Sequence, residues 1–271
     1  MVWGRRRRVR AALARAFPDE WRHLLEDRWA QWHTLDTAER AHLEDLIRVL
    51  LVDRYWEATR GFRLTAQMRV LIAALAALPI LGLDIDYYRR VTSIIVAPST
   101  VRLEGPRPAG NGLYTDEPEA IIGQAAHEGP VVIAWDAAEE QAARPESGRN
   151  VVYHEFAHKL DMLGGAVDGT PPLDSSAAYH RWVEVCTLEY ERLRRGEAGD
   201  LLDPYGAENP GEFFAVITET FFCQPLPLEA EKPALYAVLR DFYRQDPAGR
   251  ERRARAAQDP PPWWEWPSPR S

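Results

Sequence analysis

Asn150-Val151-Val152-Tyr153-His154-Glu155-Phe156-Ala157-His158-Lys159-Leu160-Asp161-Met162-Leu163 is the stretch from which the rest of the chain can be read. Asn150 can cap a helix and Gly164-Gly165 can end it, so residues 151–163 are read as helical. His154 and His158 are four residues apart and leave such a helix on one face, where two imidazoles can share a metal ion. Zinc suits imidazole nitrogen and brings the pKa of a coordinated water to about 7. Glu155, one residue after His154, can take that water's proton and pass it to a leaving amine. Asp161 shares the histidine face and either accepts the second imidazole N–H, fixing a ligand's tautomer, or meets an N-terminal helix neighbour, or is a simple surface acid. Lys159 is expected to be solvated.

Two imidazoles are one short of the three protein ligands usual in a catalytic zinc site. A metzincin has Gly at the position of Asp161 and His at the position of Gly164, so the third ligand must come from elsewhere. His23, His33, His42, His127 and His180 lie in no second motif. Residues 205–223 offer Glu208, Glu212 and Glu219. Glu212 and Glu219 are seven apart, hence on one helical face, amid Phe213, Phe214, Phe221 and Phe222. A carboxylate on so apolar a helix is costly unless paired or bound to a metal. Chemistry alone does not rank Glu212 against Glu219.

Further out, Trp21, Leu25, Trp29 and Trp32 recur at helical steps, and residues 18–59 are read as helical. Asp36 and Glu39 resemble a capping box that opens a second helix with a stripe of Leu43, Leu46, Ile47, Leu50, Leu51 and Tyr55. Thr65 caps a third helix, stopped by Pro79. Residues 93–96 and 131–135 are β-branched runs bounded by Pro and Gly, hence strands, and residues 104–112 form a loop. Further helices are expected over residues 176–195, 210–223 and 232–243. The fold class is therefore α+β, mainly helical, with a small mixed sheet beside the HExxH helix, as in a zincin. Residues 1–90 are read as an N-terminal helical region and 91–258 as the catalytic region. Residues 259–271, rich in Pro and Trp, are read as a flexible tail or a docking segment.

Composition narrows the function. The 271 residues are 46% hydrophobic with ten Trp, enough for a large core. The net charge of −8 argues against direct nucleic-acid binding. Residues 1–17 hold six Arg and no acid, so a basic patch for an anionic surface is conceivable on an otherwise acidic chain. Cys186 and Cys223 form no ligand-spaced pair, which fits a reducing, cytoplasmic setting. The longest uncharged apolar run, residues 70–83, falls short of the roughly 20 residues of a bilayer span, so no transmembrane segment is expected.

The nine residues His154 to Met162 and the segment Asn209-Pro210-Gly211-Glu212-Phe213-Phe214-Ala215-Val216 resemble the Mlc titration factor A family, gluzincin-type zinc peptidases. Met68-Arg69-Val70-Leu71-Ile72-Ala73-Ala74 and Gly129-Pro130-Val131-Val132 are similar to it as well. The resemblance implies one zinc ion per chain held by His154, His158 and Glu212, with Glu155 as the catalytic carboxylate. It leaves Glu219 to support the ligands from behind. A tyrosine seven residues before the ligand glutamate is matched by Tyr205, where a phenol can donate to the oxyanion of a tetrahedral intermediate. The family's usual Asp-Pro before the ligand helix is Asn209-Pro210 here, and Asn caps a helix as well as Asp. The expected activity is that of a zinc aminopeptidase acting on peptide substrates. The alternative is a regulatory protein that sequesters an Mlc-type transcriptional repressor.

Overall fold

Orphan amides at helix starts are met by side chains the sequence places there. A computed structural model describes residues 2–59, 61–99, 107–108, 114–115, 129–165 and 167–258. An arginine-rich helix α1 (Val2–Leu13) packs on α3 (Thr37–Asp53), and α2 (Asp19–Arg28) precedes a 3₁₀ turn over Ala30–Thr34. Asp36 accepts the Glu39 amide at 2.9 Å and Glu39 accepts the Asp36 amide at 3.1 Å, so the expected capping box opens α3. Arg5 of α1 donates to Asp53 at the end of α3. Thr65 caps α4 (Ala66–Ala77), whose residues Val70 to Ala77 are all buried. The apolar run that falls short of a membrane span is thus the central helix of the core. No helix among the described residues is long and apolar enough to cross a membrane.

The α+β class holds: helices dominate around a small sheet. Its strands β1 (Tyr55–Ala58), β2 (Ser93–Ala97) and β5 (Val131–Ala134) lie in the order β1-β2-β5. Both pairings are parallel, with Tyr55 opposite Ser93 and Ile94 opposite Val131. The sheet is therefore parallel where a mixed one was expected. The physical reason is the connection: α4 carries the chain from the end of β1 back to the start of β2, as a parallel pair demands. A separate two-residue ladder pairs β3 (Arg107–Pro108) with β4 (Tyr114–Thr115) antiparallel, inside or beside the expected loop. The rest of residues 104–112 and the tail 259–271 lie outside the described residues.

Strand β1 corrects the helical reading of residues 18–59. Its Tyr55 and Trp56 continued the apolar stripe of α3, yet aromatic side chains suit a strand equally well. Arg54 settles the break. Its backbone is extended, and its guanidinium donates to the Tyr88 carbonyl at 3.1 Å.

After β5 come α5 (Trp135–Ala143), α6 (Val151–Asp161), α7 (Ser176–Arg194) and α8 (Pro210–Cys223). Three proline-initiated helices close the described chain: α9 (Pro225–Glu231), α10 (Pro233–Tyr243) and α11 (Pro247–Gln258). Helix α6 packs against α8, α4 and β5, which fixes it at the centre of the molecule.

Candidate metal centre

Two capped helices meet to form the site. Asn150 Oδ1 accepts the Val152 and Tyr153 amides, both at 3.1 Å, and starts α6 as expected. Asn209 Oδ1 accepts the Glu212 amide at 3.0 Å, and Pro210 occupies the first turn of α8. The crossing of α6 and α8 then brings together side chains 58 residues apart.

His154 Nε2 lies 3.0 Å from Glu212 Oε2 and 3.2 Å from His158 Nε2, and His158 Nε2 lies 3.4 Å from Glu212 Oε2. Among the described residues these three form the group of His, Cys and acidic side chains that can hold a metal ion. Donors held tetrahedrally at about 2.0–2.1 Å from zinc stand about 3.3 Å from one another, so the triangle has the size of a zinc-binding face. Three protein donors leave one tetrahedral position for solvent or substrate, as in catalytic rather than closed structural sites.

Protonation chemistry makes the same demand for a cation. Glu219 Oε1 accepts from His154 Nδ1 at 2.7 Å, which places that imidazole's proton on Nδ1. The Nε2 lone pair then points at a second imidazole nitrogen and a carboxylate oxygen, an arrangement stable only around positive charge. Burial opposes charge on His154, but hydrogen bonds to Glu212 and Glu219 outweigh it and raise its pKa to about 10. Burial likewise works to raise Glu212, yet the two imidazoles bring it down to about 2. The cluster can therefore hold a proton or a metal ion, and the two would compete for it.

Glu155 is 7% exposed, and burial raises its pKa above the ordinary carboxylate value, against the pull of His154 and His158. Tyr205 stands in a 3₁₀ turn over Pro204–Ala207, with its ring 6.0 Å from that of His154 and its side chain 45% exposed. Glu219 holds the first turn of α6: besides accepting from His154 it accepts the Asn150 backbone amide at 2.5 Å.

Asp161 is fully buried, not a surface acid. Its two oxygens accept the Gly169 amide at 2.9 Å and the Thr170 amide at 3.0 Å, tying the loop after α6 to that helix. Burial pushes its pKa up to about 6 despite these donors. Trp182 Nε1 donates to the Gly169 carbonyl at 3.0 Å, so the loop is held from two sides. Gly169 has φ +76°, and a Cβ there would sit 2.3 Å from the Pro210 carbonyl oxygen. Only glycine lets this loop pass so close to the start of α8.

Lys159 corrects the sequence reading. It is 3% exposed and its Nζ donates to the Gly129 carbonyl at 3.0 Å, just before β5. Burial lowers its pKa, while Glu155 works to raise it. Its position four residues after Glu155 was the available signal, since an i, i+4 acid–base pair shares a helix face.

The comparisons with known proteins agree with this geometry. A model of the glucose-regulated metallo-peptidase M90 family matches residues 2–244. The chain belongs to the M90 metallopeptidases. Helices α6 and α8, which carry the His154, His158 and Glu212 cluster, both fall inside the matched span. An uncharacterised protein of Synechocystis is 34% identical over 244 residues, covering 89% of each chain. A Mlc titration factor A of Serratia proteamaculans is 34% identical over 227 residues, 82% of this chain and 86% of its own. One of Yersinia pestis is 33% identical over 249 residues, 86% of this chain and 92% of its own. The metallopeptidase resemblance read from the histidine helix is thus borne out at the family level.

Proposed function

We propose that this M90 metallopeptidase is a cytoplasmic zinc-dependent aminopeptidase acting on short peptides, with one zinc ion per chain. The observation that supports it is the convergence of His154 Nε2, His158 Nε2 and Glu212 Oε2 within 3.4 Å of one another, beside a buried Glu155. Bound there, zinc supplies Lewis acidity that polarises a scissile carbonyl and acidifies water.

The chain's own residues do the rest. Glu155 is the general base: its raised pKa, set first by burial, lets it accept a proton from the attacking water and return it to the leaving amine. Glu219 and the Asn150 amide fix the orientation and tautomer of His154. Asp161 holds the 169–170 loop against the start of α8. On this reading Tyr205, whose ring lies 6.0 Å from that of His154, donates its phenol to the oxyanion of the tetrahedral intermediate.

The test is Glu155→Gln. Loss of a positioned general base lowers turnover by about 10²–10⁴-fold. Hydrolysis of aminoacyl chromogenic substrates is expected to fall by that factor while bound zinc, measured by elemental analysis, stays at one per chain. Wild-type turnover in this variant would refute the mechanism, and cleavage of peptides with blocked amino termini in preference to those with free ones would refute the aminopeptidase assignment.

A second reading rests on the name of the relatives, Mlc titration factor A. On that reading the chain also binds an Mlc-type repressor protein. Binding of such a repressor by a metal-free His154→Ala protein, with no peptide cleaved by the wild type, would favour it over the enzyme.

A further inference from the structure

Helix α8 has two functional ends. Glu212 lies in its first turn and Phe222 in its last, ten residues or about 15 Å further along. Around that far end opens a cavity of about 380 Å³, walled by Pro145, Pro225, Pro227, Pro247, Leu35 and Phe222. That is the small end of the range for ligand pockets, about 300–1,000 Å³.

One polar group in its lining is unsatisfied. Gln31 is 8% exposed, and its Nε2 donates to the Phe222 carbonyl at 3.4 Å. This contact fixes the amide's orientation, and Oε1 has no hydrogen-bond partner among the described residues. A cavity walled mostly by apolar side chains, with charged groups from α11 along one side and one orphan acceptor, suits an apolar group with one donor and no acceptor. Among side chains that description fits the indole of tryptophan.

The chain supplies three such groups close by. One face of α11 forms a wall of the cavity through Pro247, Arg250, Glu251 and Arg255. Residues 259–271, which follow α11 directly, hold Trp263, Trp264 and Trp266 among prolines. Trp263 is five positions beyond Gln258, a reach of up to about 17 Å, so all three indoles can return to the cavity. Glu265 lies among them, and the wall contributes the exposed guanidinium of Arg255, which pairs with Glu251 one turn earlier. Both α11 and this segment fall outside the family match, which ends at residue 244.

We propose that the cavity is the seat of the chain's own C-terminal segment, with one of Trp263, Trp264 and Trp266 inserted and its indole N–H donating to Gln31 Oε1. The segment braces the far end of α8 and leaves the metal centre at the near end open.

The full-length protein labelled with 5-fluorotryptophan tests this, with Trp→Phe substitutions at 263, 264 and 266 assigning the three resonances by ¹⁹F NMR. A synthetic peptide of residues 259–271 gives their positions in water. One tail resonance is expected to be displaced from its peptide position, with indole N–H exchange slowed about tenfold or more. A nitroxide on Glu146→Cys, an exposed residue at the cavity rim, is expected to broaden that same resonance. Gln31→Met is expected to speed its N–H exchange back toward the peptide's rate. Coincidence of all three resonances with those of the free peptide would overturn the proposal. So would a displaced resonance that the nitroxide leaves sharp. Displacement that vanishes on hundredfold dilution would assign the cavity to the tail of a second copy and overturn the intramolecular reading.

Discussion

Replacing Glu219 with glutamine tests how the metal centre is held. The carboxylate accepts two donors at once, His154 Nδ1 at 2.7 Å and the Asn150 amide at 2.5 Å. A glutamine keeps one oxygen and gains an NH₂. With the oxygen on His154, the new NH₂ opposes the buried Asn150 amide, leaving a donor unsatisfied at a cost of about 1–3 kcal/mol. With the amide reversed, the NH₂ faces Nδ1, and the imidazole proton moves to Nε2, the nitrogen that would have to be free to bind a metal. Either way the ligand is disturbed from behind, a change that typically lowers metal affinity about 10–100-fold, or about 1.4–2.7 kcal/mol. The assay is zinc competition against a chromophoric chelator, paired with thermal unfolding in excess chelator. In the metal-free state, a loss of about 2 kcal/mol lowers the Tm of a chain this size by about 4–8 °C. Zinc affinity within about twofold of wild type would refute the reasoning, because Glu219 would then be a bystander.

Other expectations follow from the surroundings of the site. Asp161 has its pKa raised from 3.8 to about 6, so the stabilisation from its bound proton is complete below about pH 4 and is lost as pH rises through 6. Urea unfolding of wild type minus Asp161→Asn is therefore expected to fall by about 2–3 kcal/mol between pH 4 and 7; a flat difference would show that burial does not dominate. Gly169→Ala forces a Cβ against the Pro210 carbonyl at a positive φ, and a destabilisation of about 3 kcal/mol or more, with weakened zinc binding, is expected from denaturant titration. Lys159→Met keeps the volume but strips the Gly129 carbonyl of its donor, a loss of about 1–3 kcal/mol. Hydrogen exchange at residues 129–134 is expected to quicken in that variant and to stay unchanged in α10.

Local signals explain what the sequence discloses. Asn150, Asn209, Asp36 and Thr65 each cap a helix through contacts within three residues, and the spacing of His154 and His158 is a property of one helix. The parts that resisted reading depend on how elements cross. Glu212 and Glu219 share a face of α8, and only the crossing with α6 sends one to Nε2 of His154 and the other to Nδ1. Asp161 and Lys159 carry charges that pattern reasoning sends to the surface, whereas their partners are backbone groups 8 and 30 residues away. Strand β1 was hidden because its side chains extend a helical stripe, and what makes it a strand is β2, some forty residues later.

That pairing bears on how the polypeptide can be divided. β1 is contributed by residues 55–58, whereas β2 and β5 come from beyond residue 90. A fragment cut at 90 would strip β2 of its neighbour and bare a row of unpaired amides and carbonyls on an otherwise apolar ribbon, Ile94-Ile95-Val96. Open borders of that kind recruit strands from other molecules and seed aggregates. The first sixty residues thus act as a shield for the strands behind them, and truncated versions retaining both histidines and Glu212 are expected to precipitate rather than turn over substrate.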